Sequence, residues 1–182
     1  MFIDQVVVDV LGQLAFLHGA TLGNFSTGIT LSEQSRDLAA GHQLEESARA
    51  WVATGLAAQF TGDNAMALHA SERAVTAAEA RGDEPAAVLA LSTQVTPLAA
   101  LGEFERGVEV AKEAVRRAEL LGQPDLVLAS VICAASIHFV NPAGLDFGSC
   151  LGVLGAHPGG ASAGATNEMW RDITWGTAQV GL

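Results

Sequence analysis

Five histidines and two cysteines are the side chains of this sequence best suited to chemistry: His18, His42, His69, His138 and His157, with Cys133 and Cys150. Zinc sites draw such residues together at short fixed spacings, as in His-Glu-x-x-His or Cys-x-x-Cys. Neither pattern occurs here. Cys133 and His138 stand five apart, which sets them on different faces of a helix. Both cysteines read as small buried apolar residues, a usage that suits a reduced compartment. The histidines read as structural or surface residues.

Other chemistries fare no better. Residues 159–166, GGASAGAT, nearly spell a phosphate loop, but Ala165 stands where the lysine that reaches the β- and γ-phosphates belongs. A Gly/Ala/Ser-rich loop over residues 158–166 is expected instead. No Gly-x-Ser-x-Gly elbow occurs. The carboxylate pairs Glu45-Glu46 and Asp83-Glu84 fall at expected helix starts, where negative charge suits the helix dipole. The expectation is therefore a protein that is not an enzyme, with no catalytic residue, no cofactor and no metal.

Composition narrows the partners. The 182 residues are 49% hydrophobic and 16% charged, enough to build one domain with a core. The formal net charge is −11, with a single lysine, Lys112, and eight arginines whose longest run is Arg116-Arg117. A nucleic-acid face needs clustered Lys and Arg, so no direct nucleic-acid binding is expected. Abundant Ala, Gly and Arg point to a high-GC bacterial genome. Asp4 and Asp9 interrupt the apolar N-terminus, and no basic segment precedes it, so it reads as a core helix. It is read neither as an export signal nor as a membrane span. A cytoplasmic protein is expected.

The elements that must position any site repeat. Residues 61–83 align with residues 101–123 at a shift of forty, with six identities in 23 positions: Gly62/Gly102, Ala74-Val75/Ala114-Val115, Ala78-Glu79/Ala118-Glu119 and Gly82/Gly122. Glycine at 82 and 122 suits a helix end, and the alanines lie at helical spacing, where helices approach closely. Phe104, Val108, Ala111, Val115 and Ala118 form one apolar stripe. Glu103, Glu109, Lys112, Glu113, Arg116 and Arg117 form the opposite, solvated face, with Glu113 and Arg117 a favourable i,i+4 pair.

Each such helix is preceded by another. Residues 45–60 form one, and Asp63 caps the next. Asp83 caps a helix running to about Ala100, with Pro85 in its first turn. Pro97 predicts a kink or an early end near Thr96. The expected fold class is all-α, built of antiparallel helix-pair repeats. The pairs span about 3–41, 43–82, 83–122 and 124–157, making one array over residues 1–157. Residues 167–182 would form a terminal helix, either packed back on the array or the first helix of a truncated repeat.

Residues 48–78 resemble a tetratricopeptide repeat (TPR). Trp51, Gly55, Ala67 and Ala74 match that family's pattern, while Thr54, Ala58 and Ser71 are smaller residues than it carries. The forty-residue period exceeds the family's ~34. Longer, Ala-rich units of this kind resemble the helical sensor arms of large bacterial regulators: LuxR-type and maltose-regulator-like ATPases, and ATPases linked to cyclases. The resemblance covers most of residues 1–140 and implies a stacked TPR-like α-solenoid. It also implies a protein or peptide partner, or another domain of the same polypeptide, held along a concave groove.

In such a solenoid the outward positions of each first helix line the groove. These are Arg49, Val52, Leu56 and Gln59, then Leu89, Ser92, Thr96 and Ala99. Their mainly apolar character favours an apolar helix or peptide. The expected function is a non-catalytic protein-interaction or ligand-sensing module in bacterial signal transduction, as part of a larger protein. The alternatives are a stretch of an ATPase transcriptional regulator or cyclase-linked ATPase whose activity lies elsewhere, and a stand-alone adaptor. That adaptor would self-associate through its C-terminal helix.

Overall fold

Residues 2–135 are described by a computed structural model. The described residues are all-helical, as their periodicity predicts. The elements are α1 (Phe2–Phe16), a π-helical turn (Leu17–Thr21), α2 (Phe25–His42), α3 (Ala48–Phe60) and α4 (Asn64–Ala80). They continue with α5 (Glu84–Ala100), α6 (Phe104–Leu121) and α7 (Pro124–Ala135).

The turns carry the repeat. Gly62, Gly82, Gly102 and Gly122 all have positive φ, alternating +81°, +64°, +81° and +64°. Each closes a helix in the left-handed conformation that only glycine adopts without strain. At Gly62 the glycine N–H donates to the carbonyl of Gln59 (3.0 Å), and Asp63 N–H donates to that of Ala58 (2.9 Å). The same two bonds recur at Gly82 and Gly102. The Asp63 and Asp83 carboxylates then accept Met66 N–H (3.0 Å) and Ala86 N–H (3.1 Å), capping α4 and α5. One tripeptide thus ends one helix and starts the next.

Three boundaries differ from expectation, the first being α3, which starts at Ala48 with Ser47 as its cap instead of at residue 45. α5 passes Thr96 and ends at Ala100. Pro97 sits in the last turn, where its missing N–H costs one helical bond, and its ring is fully buried. Its carbonyl still accepts Leu101 N–H at 2.9 Å. Burial of Leu98 and Ala99 beside it holds the turn helical. α2 likewise runs past Gly41 to His42, and Gln43 takes the left-handed position at φ +53°.

Neighbouring helices pack in succession. In addition, α1 packs on α3, α3 on α5 and α5 on α7, so the odd-numbered helices touch one another. Ion pairs tie the successive pairs together. Arg106 of α6 pairs with Glu72 of α4, Arg117 of α6 with Glu79 of α4 (3.0 Å), and Arg49 of α3 with Asp83 (3.1 Å). Arg81 bonds Asp9 of α1 at 2.8 Å. Exposed pairs of this kind add up to about 1 kcal/mol each, so the stack is held mainly by its alanine- and valine-rich interior.

Candidate functional site

The odd helices α3 and α5 carry the groove positions that the sequence singles out. Both are crowded by neighbours on several sides, so only a narrow edge of each reaches solvent. Val52 (1% exposed), Ser92 (2%) and Ala99 (1%) lie in the interior, a correction to their expected place on the groove surface. Val52 packs with Ala74 and Ala90. Ser92 Oγ donates to the Val88 carbonyl (2.9 Å) and pairs with Ser130 Oγ (2.9 Å). Ala99 packs with Val95, Ala111 and Ala134.

Arg49, Leu56, Gln59, Leu89 and Thr96 are half-buried and keep a solvent edge. Leu56, Leu89 and Phe16 each pack against the buried cluster of Val52, Ala74 and Ala90. Arg49 is committed to Asp83, bridging α3 to the cap of α5. α1, α3 and α5 thus each bring a half-buried apolar side chain to this cluster, Phe16, Leu56 and Leu89, and Arg49, Gln59 and Thr96 are the other half-buried groove positions.

A second cluster forms around Trp51, where α2, α3 and α4 meet. The Arg36 guanidinium lies 4.6 Å from the Trp51 ring centre and that of Arg73 lies 5.5 Å from it. His69 meets the ring edge-on at 6.2 Å. Glu46 accepts both Trp51 Nε1–H (3.1 Å) and Arg73 (2.6 Å). Arg36 Nη1 donates to Thr54 Oγ1 at 2.5 Å, and that hydroxyl donates to the Ala50 carbonyl at 3.1 Å. Cation–π contacts of this kind contribute roughly 0.5–1 kcal/mol each when partly exposed. Sequence reasoning found Trp51 and Thr54 as repeat positions and Glu46 as a helix-start charge. It missed Arg36 and Arg73, whose contacts span 15 and 22 residues of chain.

The remaining chemical candidates are scattered. His42 Nδ1 lies 3.8 Å from Asp4, while His18 Nδ1 is buried with no hydrogen-bond partner. Cys133 is partly buried beside Val95 and Ala134, and burial pushes its thiol up to about 11. It is therefore protonated at neutral pH. No group of three or more His, Cys, Asp or Glu among the described residues could hold a metal. An open cleft of about 500 Å³ lies between Glu79, Glu84, Arg116, Arg117 and Leu120, but its guanidiniums already bond Glu113 and Glu79. No helix of the described residues is long and apolar enough to cross a membrane. His138, His157, Cys150, the glycine-rich loop at 158–166 and the terminal helix at 167–182 lie outside the described residues.

The sequence matches no protein-family model, and no curated protein is similar to it.

Proposed function

We propose that this chain is a non-catalytic helical-repeat module of the TPR-like solenoid kind, which binds a protein or peptide segment. The partner is an apolar helix or peptide, from another protein or from another domain of the same polypeptide. It rests on the edge of the odd helices at Phe16, Leu56 and Leu89. The observation that supports this most is the return of one turn geometry every forty residues, with the odd helices stacked on each other. Helix pairs that stack this way bury their apolar faces between neighbours and leave one long surface for recognition.

The test replaces Leu56 and Leu89 together by lysine and compares both proteins as baits in lysate of the native organism. A partner retained by the wild type and lost by the double variant, at unchanged helix content, supports binding at this edge. Retention of the same partners by both proteins removes it. An immunoblot of that lysate reads whether the native polypeptide runs near 18.7 kDa or belongs to a larger signalling protein.

A further inference from the structure

α1 is apolar on two opposite faces. Val8, Gly12, Ala15 and Gly19 in the following π-turn face inward and are buried. The opposite side carries Ile3, Val6, Val7, Val10 and Leu14, continued by Leu17 at the start of the π-turn, and these are 39–74% exposed. A helix with one face on its own domain normally turns charged residues outward. This stripe carries none, in a chain of net charge −11. The nearby acids are engaged elsewhere: Asp9 bonds Arg81, and Asp4 lies beside His42.

Five of the six stripe positions are symmetric about Val10, while the sixth, Val7, falls opposite the exposed Gln13 of a second copy. Ile3 and Leu17 lie seven residues either side of Val10, and Val6 and Leu14 lie four residues either side. A two-fold axis through Val10 therefore lays these five positions on one another. Ile3 meets Leu17 of the second copy, Val6 meets Leu14, and Val10 meets Val10. At the exposures given, the six residues carry roughly 500 Å² per copy, so a pair that covers them completely buries at most about 1,000 Å², the low end for a specific interface. We propose that this protein forms a two-fold dimer through antiparallel packing of α1 against α1 of a second copy.

Charge adds a signature to the apolar contact. Two copies of net charge −11 repel one another at long range, while the contact itself is uncharged. Added salt screens the repulsion and leaves the contact, so the dimer tightens as ionic strength rises. A charge-driven interface would do the reverse.

Analytical ultracentrifugation of the full chain tests this. The expected result is a species of twice 18.7 kDa at micromolar concentration, favoured by salt. Val10→Lys weakens association by tenfold or more at unchanged circular dichroism. Leu120→Lys, on exposed α6, leaves it unchanged. A second, independent readout is Val10→Cys, which on oxidation cross-links to itself as a disulfide dimer that the wild type does not form. A monomer at about 100 µM in high salt would overturn the proposal, as would a dimer that Val10→Lys leaves intact. A monomer that Val10→Lys destabilises would also overturn it, and would assign the stripe to residues 136–182 of the same chain.

Discussion

A Cβ added to Gly12 would stand 2.0 Å from the Ser47 hydroxyl and 2.7 Å from its Cβ. α1 crosses the start of α3 at this point, and Ser47 is the residue that caps α3, accepting Ala50 N–H at 3.5 Å. Ser47 is itself buried, so it has little room to withdraw. Gly12→Ala is expected to destabilise the protein by roughly 2–3 kcal/mol through overpacking and disturbance of the cap. A urea titration reads this as a lower midpoint. An unchanged midpoint would mean that α1 and α3 are not in this contact.

Gln43 does at one turn what Gly23, Gly62, Gly82, Gly102 and Gly122 do at the others. Its φ of +53° closes α2, with Leu44 N–H donating to the Ala39 carbonyl at 2.8 Å. A side chain in this conformation costs about 1 kcal/mol or more, and glycine carries no such strain. Gln43→Gly is expected to raise stability by roughly 0.5–1 kcal/mol, and Gly82→Ala to lower it by about 1 kcal/mol. The two shifts in thermal midpoint should have opposite signs.

Glu113 reports on acid. Arg116 donates two bonds to it at 2.7 Å, and Arg117 one at 2.8 Å. These bonds hold its carboxyl down at about 2, from an ordinary 4.5. The folded protein thus favours the charged form. Its contribution is complete above pH 4.5 and fades as the pH falls to about 2. The cluster lies on the surface, so solvent limits the effect to under about 1 kcal/mol. Glu113→Gln should flatten the stability-versus-pH curve between pH 4.5 and 2 and cost a few tenths of a kcal/mol, about 0.2–0.5, at pH 7. Denaturation midpoints at pH 7, 4 and 2.5 check both.

Local chemistry was readable without any structure. The bonds that close each glycine turn reach across five residues, and each Asp cap reaches three residues on. Both therefore follow from the sequence at that spot. α6 was equally plain, because its apolar stripe and its charged face are cleanly separated. Phe104, Val108 and Val115 pack inward as that stripe predicts.

α5 shows where such reading stops. Its sequence, EPAAVLALSTQVTPLAA, is apolar nearly all round, so periodicity cannot tell a wall from a surface. Only packing against α3, α4, α6 and α7 decides that Ser92 and Ala99 are interior and that Leu89 keeps an edge. The same holds for Val52 on α3. Pro97 belongs here too, since a helix breaker was outweighed by the burial of its neighbours.

The sequence by itself determined the helices, their glycine turns, their caps and the forty-residue repeat, because each of these rests on interactions within a few residues. The tertiary structure alone decided three things: which face of each apolar helix is covered, how Arg36 and Arg73 come to flank Trp51, and that α1 keeps an uncharged stripe on its outer side. Those depend on contacts between residues far apart in the chain, and their energies exist only once the helices are stacked.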